Sequence, residues 1–287
     1  LDRDTLIYAE KVTAYIGGLS NLSDRFVLNV GRVENGKFIL RETERGVMNV
    51  KEVVDRISRR KGKGRFKMLI RTLDAVNLEF RLEKLVPRNP EFGVDYSNMQ
   101  LLGITSHIHD FTIAGGAVGG NIVNMTFTER SGFALGNLSG QLLVDKGLIS
   151  IAPLKLETGE TSLFLPELAL TGNGWDSYKD FVRNVRIDAD VLNSRADSHD
   201  IGYFAPSILG WNTAIYDATL SMHGTVSDFR ASIESLRLED GGLLSAEGRV
   251  RGLVDVPRTR FNIDVRRLDA STAEVVRLLG NIAHLDI

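Results

Sequence analysis

"TRFNIDVRR", residues 259–267, is the stretch on which the fold turns. In an extended chain Phe261, Ile263 and Val265 point to one side, and Arg260, Asn262 and Asp264 to the other. Strict alternation has the period of a β-strand with one dry face and one wet face. The same phrase recurs upstream. "LSAEGRVRG" (244–252) sets Leu244, Ala246, Gly248 and Val250 against Ser245, Glu247, Arg249 and Arg251. "VRIDADV" (185–191) sets Val185, Ile187, Ala189 and Val191 against Arg186, Asp188 and Asp190. "VNMTFTE" (123–129) sets Val123, Met125 and Phe127 against Asn124, Thr126 and Thr128. Turn signals lie between such runs: Asn35-Gly36, Lys146-Gly147, and "DGG" at Asp240 to Gly242. They predict hairpins, and hence antiparallel pairing.

Helical patterns are few and short. "MNVKEVVDRISRR" carries Val50, Val53, Val54 and Ile57 at helical spacing, with Asn49 as N-cap. "DASTAEVVRLLG" has a capping box in Ser271 and Glu274 and a stop at Gly280. "WDSYKDFV" predicts about two turns, with Asp176 in the cap position. "DIGYFAPSIL" (200–209) is one oily turn among strands, carrying Ile201, Tyr203, Phe204 and Ala205, capped by Ser198 and stopped by Pro206. Strands with so few helices exclude a doubly wound α/β fold, which needs a helix between successive strands. A sandwich or barrel would bury the dry faces against one another. A sheet curled into a trough would leave them lining an interior groove; about 15 strands at ~4.8 Å would make it ~70 Å long. Composition does not choose between these. In a trough the short helices cap an end or cover an open side.

The chain has 287 residues, 43% of them hydrophobic, enough for a sizeable core. That length allows two ordinary domains or one elongated all-β unit over 1–287, with a soft boundary near 195–212. A net charge of -2 gives no reason to expect a nucleic acid partner. Cysteine is absent, which excludes disulfides, thiol catalysis and cysteine-bound metals, and suits an oxidising compartment as well as the cytosol. No apolar run reaches the length of about 18 residues that a spanning helix needs. The chain opens at Leu1 without Met or signal peptide and closes on the apolar phrase "AHLDI", so it reads as a fragment of something longer.

Chemistry is sparse. "SHIHDF" places His107 and His109 on one strand face with Asp110 next, but the other histidines, His199, His223 and His284, are scattered, and the expectation is no metal. "GGAVGG" (115–120) lacks the Lys-Ser/Thr and the following helix of a P-loop; a hairpin or bulged strand explains it. There is no Gly-x-Ser-x-Gly elbow, and no pair of carboxylates stands out from those on the wet faces. Trp175 and Trp211 read as packing anchors, with sugar stacking as the alternative. The basic run "RRKGKGRFK" (59–67) reads as a solvated loop, with a landing site for anionic headgroups as the alternative. No catalytic residue and no cofactor is expected.

Several longer phrases carry a resemblance. They are Ser131-Gly132-Phe133, "LKLETGETSLFLPELAL", "WDSYKDF", "GYFAPSIL" and "MHGTVSDFRASIESLRLEDGGLLSAEGRVRGLVD" followed by "TRFNIDV". From about Phe26 to Leu279 the chain resembles the TamB-like members of the AsmA-like superfamily, in particular the large envelope proteins of the Bacteroidetes type. That resemblance implies a β-taco trough with an apolar interior. It implies a periplasmic segment of a translocation and assembly module, anchored to the inner membrane by a part absent from this chain. It further implies that phospholipid or lipopolysaccharide acyl chains pass along the groove between inner and outer membranes. The other implied role is in outer-membrane biogenesis with a TamA/BamA-like barrel partner. The family has no catalytic residues to carry over. The candidate lining is Val123, Met125, Phe127, Val185, Ile187, Ala189, Val191, Leu244, Ala246, Val250, Phe261, Ile263 and Val265. About 25 cal/mol is gained per Å² of apolar surface removed from water, so no single residue should dominate. Two other readings compete: a carbohydrate-active or carbohydrate-binding β-rich protein, and a passive structural β-protein whose dry faces pack together.

Overall fold

The structure, a computed structural model, describes residues 6–16, 25–44, 46–49, 67–87, 89–204, 209, 212–239, 241–252, 260–273 and 275–276. Strands dominate it, as the alternation predicts, and the fold is all-β. Contacts gather the chain into two units, Leu1–Leu138 and Ser139–Ile287.

The N-terminal unit holds β1 (Ile7–Ile16), β2 (Arg25–Arg41), β3 (Lys67–Glu83), β4 (Asn98–Ala114), β5 (Ala117–Glu129) and the short β6 (Ala134–Leu135). β1 to β5 pair in chain order, and β6 pairs with β5. One pair departs from the antiparallel expectation: β2 and β3 run parallel, with Arg32 beside Asp74 and Phe38 beside Phe80. Parallel neighbours cannot be joined by a tight turn and need a crossover. The chain between Arg41 and Lys67 supplies that crossover, and the helix expected at 48–60 falls within it. From Val50 to Phe66 it lies outside the described residues. Asn49, expected as its N-cap, instead accepts from the Arg41 N–H at 3.0 Å and donates to the Ile39 carbonyl at 2.9 Å.

Asn35-Gly36 is not a hairpin turn but an irregularity inside β2. Asn35 takes the left-handed conformation (φ 53°), and so does Asn77 in β3 (φ 53°). A single such residue breaks the alternation, so a strand can keep one dry face past it only by shifting parity. The charges show the shift, from Arg32 and Glu34 before Asn35 to Lys37 after it. Dry-face positions move from Gly31 and Val33 to Gly36 and Phe38. A Cβ on Gly36 would meet the Tyr8 carbonyl oxygen at 3.0 Å and the Leu78 side chain at 3.1 Å, a close approach that favours glycine there. The Asn77 side-chain amide donates a 2.8 Å hydrogen bond to Asn35 Oδ1, and Asn35 in turn donates to Glu10 at 2.8 Å.

On the wet face, ion pairs cross the strands. Lys11 meets Glu34 at 2.8 Å, Arg32 reaches both Glu34 and Asp74, and Asp74 meets His107 at 2.6 Å. Lys37 (2.9 Å), Arg81 (2.5 Å) and Gln100 (2.5 Å) converge on Glu79. Burial alone would push the Glu79 carboxyl up, but these three donors outweigh it and hold it down at about 2.

The C-terminal unit holds β7 (Asn137–Asp145), β8 (Leu148–Glu157), β9 (Ser162–Leu165), β10 (Leu168–Thr171), β11 (Arg186–Asp197), β12 (Ala214–Thr225), β13 (Asp228–Leu238), β14 (Leu243–Arg251) and β15 (Arg260–Asp269). The order is β7-β8-β10-β11-β12-β13-β14-β15, and β9 bridges β8 and β11. The Lys146-Gly147 hairpin is present, with positive φ at both residues (45° and 92°), as a two-residue turn requires.

"WDSYKDFV" forms a 3-10 turn over Trp175–Asp180, then α1 (Phe181–Asn184). Asp176 lies in the first turn rather than at the cap, which is Gly174. The second short helix, α2, is Ser198–Gly202. Its cap is Asp197, whose carboxylate accepts from the His199 N–H at 2.7 Å; Ser198 instead accepts from the Thr213 N–H at 3.0 Å. Ile201 packs on a buried cluster of Ile215, Ala218, Leu236 and Leu238. The oily turn therefore covers one end of the dry face, and Ile201 carries the contact. Phe204 is 47% exposed. Of the last expected helix, residues 272–273 and 275–276 are helical, with the Val275 N–H bonded to the Ser271 carbonyl at 3.1 Å; Glu274 and the residues after Val276 lie outside the description.

Two outcomes follow from these contacts. Ile201→Asp is expected to lower stability by about 2–3 kcal/mol, the scale of an unpaired charge against a core, and Phe204→Asp by under about 1 kcal/mol. Urea unfolding followed by circular dichroism separates them, and equal losses would contradict the packing. For Glu79, whose folded carboxyl titrates below its ordinary value near 4.5, the stabilisation is complete above that value and is lost as pH falls through about 2. Glu79→Gln should lower stability by about 1–2 kcal/mol at pH 7, with solvent screening allowed for. The gap between variant and parent should close between pH 4.5 and 2, read from unfolding at stepped pH.

Candidate functional site

Residues directly opposite one another in an antiparallel pair share a face. Register therefore decides whether separate dry faces join. From β8 to β15 they do. One cross-strand row runs Ile149, Leu170, Ile187, Gly224, Phe229, Val250, Phe261. The next runs Ile151, Leu168, Ala189, Met222, Ala231, Gly248, Ile263. A third runs Val191, Leu220, Ile233, Ala246, Val265. These rows make one apolar face in the C-terminal unit.

Burial along the rows is uneven in an informative way. Where Ile201 covers the face, Ile215, Ala218, Leu236 and Leu238 are fully buried, with half-buried Leu244 against them. Away from that end Ile187, Ala189, Val191, Leu220, Met222 and Val250 are only half-buried. Along β15 the exposures are 54% for Phe261, 53% for Ile263 and 50% for Val265. Two packed sheets would bury such residues. Ala246 is the exception within the rows, buried on its small side chain.

The expected lining residues thus fall in several places. Ile187, Ala189, Val191, Ala246, Val250, Phe261, Ile263 and Val265 stand in the three rows, and Leu244 at the covered end. Val185 precedes β11, is 0% exposed, and bonds its N–H to the Phe181 carbonyl at 3.1 Å, so it is enclosed rather than open to a ligand. Val123, Met125 and Phe127 belong to the N-terminal unit. There Met125 faces Ser106 and Ile122 faces Ile108, which leaves Val123 as the extra residue of a bulge. Ile122 (3% exposed) takes the dry position beside Met125, and Val123 (43% exposed) turns outward. Sequence reasoning passed over Leu168, Leu170, Leu220, Met222, Phe229 and Ile233, although "ATLSMHG" and "DFRASI" carry the same alternation.

The opposite face of these strands is polar. Arg186 grips Asp188 through bonds of 2.7 to 3.0 Å and holds its carboxyl below the usual range. Arg249 grips Asp228 through two bonds of 2.6 Å, with the same effect on Asp228. In the N-terminal unit the His107 and His109 rings meet edge to face at 4.8 Å, and His107 is engaged by Asp74. Among the described residues no three His, Cys, Asp or Glu side chains gather as a metal ion would require. The Gly115-Gly116 pair is the β4–β5 hairpin turn, with φ of 62° and 93°. Trp175 is exposed and tilted against Tyr178 at 5.5 Å, while Trp211 and His284 lie outside the described residues. The basic run 59–67 does too, apart from Lys67. No helix among the described residues is long and apolar enough to cross a membrane.

No family model matches the chain, and neither does any curated protein or solved structure. The site must therefore be argued from its own geometry.

Because the chain has no native cysteine, single introduced cysteines report the faces cleanly. Val123→Cys is expected to react with a water-soluble maleimide at least tenfold faster than Ile122→Cys, and Ile263→Cys at least tenfold faster than Val185→Cys. The same rate at Ile122 and Val123 would remove the bulge.

Proposed function

We propose that the apolar face of β10 to β15 carries the acyl chains of a lipid and that the protein acts without catalysis. The observation that supports this most directly is the half-exposure of three cross-strand apolar rows away from the end that α2 covers. Each methylene withdrawn from water contributes about 0.8 kcal/mol. An acyl chain laid along the rows is then held by many weak contacts, each replaceable as it moves. At Gly224 and Gly248 within the rows the next strand's backbone comes too close for a side chain, since a Cβ would meet the Asp228 and Asn262 carbonyl oxygens at 2.4 and 2.6 Å. The charged opposite face keeps the same strands wetted.

The resemblance to TamB-like proteins supports the same reading and extends it. On that extension the segment lies in the periplasm, tethered to the inner membrane by another part of the protein. It passes phospholipid or lipopolysaccharide toward the outer membrane, or assists assembly there beside a TamA/BamA-like barrel.

A photo-crosslinking residue at Ile187 or Ile263 should capture lipid in cells, and one at Asp188 or Arg249 should not. Met125 tests the N-terminal unit in the same way. Replacing both Ile187 and Ile263 by Asp should abolish lipid capture at Met222 while sparing most of the fold, since a face open to water can hydrate a charge that a packed core cannot. If these positions crosslink only to protein and the double variant unfolds, the face is a closed core and the reading fails.

A further inference from the structure

The polar face of β12 to β15 contains an open hollow of about 600 Å3, whose walls include Ser221, His223, Arg230, Arg249, Arg251 and Asn262. It lies on the side of the strands away from the apolar rows. One cross-strand row of the hollow reads His223, Arg230, Arg249, Asn262. Directly opposed residues stand about 5 Å apart at Cβ, and like charges so placed repel. Arg230 and Arg249 are such a pair.

The neighbouring carboxylates do not cancel this charge. Among the described residues Asp228 is the one carboxylate that pairs with any of these arginines, and it pairs with Arg249 and Arg251. It takes Arg249 in a two-bond fork at 2.6 Å, which also locks that guanidinium in place. It reaches the Arg251 Nε only at 3.8 Å. Arg230 makes no ion pair or hydrogen bond to any described residue. His223 is turned toward β11, with its ring nitrogens 3.1 Å from Asp188 and 3.5 Å from Asp190. At the other end of the hollow Glu247 pairs with Arg266, and Asp264 stands across from Glu247. These two carboxylates would repel an anion, so they confine it to the arginine end.

We infer that the arginine end of this hollow binds a phosphate group, with Arg230 and Arg251 as its principal contacts and Asn262 as a neutral donor. A guanidinium offers planar paired donors that match phosphate oxygens, and it is weakly hydrated, so little is lost when the anion displaces its water. Binding also relieves the Arg230–Arg249 repulsion. A soluble phosphate ester and a lipid headgroup share this recognition chemistry.

Inorganic phosphate titrated into the full chain at low salt, followed by calorimetry, should show one saturable site. Arg230→Gln and Arg251→Gln should each weaken it at least tenfold, and Lys179→Gln should change it less than twofold. Phosphate should raise the melting temperature of the parent and leave that of Arg230→Gln unmoved. Because Arg230 has no hydrogen bond or ion pair to lose among the described residues, its variant should fold as well as the parent, which circular dichroism checks. Flotation with phosphatidic acid vesicles, against phosphatidylcholine alone, separates the sources. Vesicle binding that Arg230→Gln abolishes assigns a headgroup, and phosphate binding without it assigns a soluble ester. No saturable binding of phosphate, or binding that Arg230→Gln leaves unchanged, overturns the site.

Discussion

Everything in the C-terminal unit depends on strands staying in step. Facing residues of an antiparallel pair lie on one side of the sheet, so a slip of a single residue carries a strand's whole dry set to the wet side. Slipping β13 by one against β14 would set Arg230 beside Val250 or Gly248. The register that prevents this also turns local alternation into rows that cross many strands. Where the strands bend, they do so at paired irregularities. β11 inserts a residue between Val191 and Ser194, with Asn193 left-handed, and β12 answers one step later at Asp217. The dry faces change parity nearly together and stay joined.

The wet faces reinforce that register with charge. Lys37 of β2 with Glu79 of β3, Arg249 of β14 with Asp228 of β13, and Arg266 of β15 with Glu247 of β14 each tie neighbouring strands at positions that a slip would separate or misdirect. Individually such exposed pairs contribute little. Together they penalise wrong pairings more than they stabilise the right one. Arg230 stands out against this pattern because, among the described residues, it has no ion-pair partner where every neighbour in its row has one or is neutral.

Much of the architecture was readable in the residues. Alternation in "TRFNIDVRR", "LSAEGRVRG" and "VRIDADV" specifies strands because a period of two fits no other regular structure. The irregular positions were harder. Asn35-Gly36 has the chemistry of a hairpin turn, and only the change of charge parity from Glu34 to Lys37 betrays a strand that continues. Val123 and Ile122 are equally apolar, so the bulge that exchanges them leaves no mark in composition. The β2–β3 parallel pair is invisible locally, since it is set by which strands become neighbours. Asp197 displaced Ser198 as cap because both residue types cap well and their spacing does not rank them. Whether Ile187 and Ile263 are open or packed could not be read at all, for apolarity is the same in both cases. The arginine row needed the register before its members could be seen together.

Pairing between sequence neighbours has a consequence for how the unit holds together. Each of β11 to β14 is hydrogen-bonded to the strand before it and the strand after it, and β15 to β14. The cohesion of such an array approaches a sum of intrinsic strand terms and nearest-neighbour seams, as in repeat proteins. Two residues join β12 to β13 and four join β13 to β14, so these seams can form without waiting for distant parts of the chain. A seam can also open without bringing down its neighbours. β15, held along one edge and half-exposed on its dry face, is where opening would begin, while β12 and β13, seamed on both edges and closed over Ile215 and Leu238, would exchange their amide protons last. Stability here is graded along the chain rather than shared equally across it.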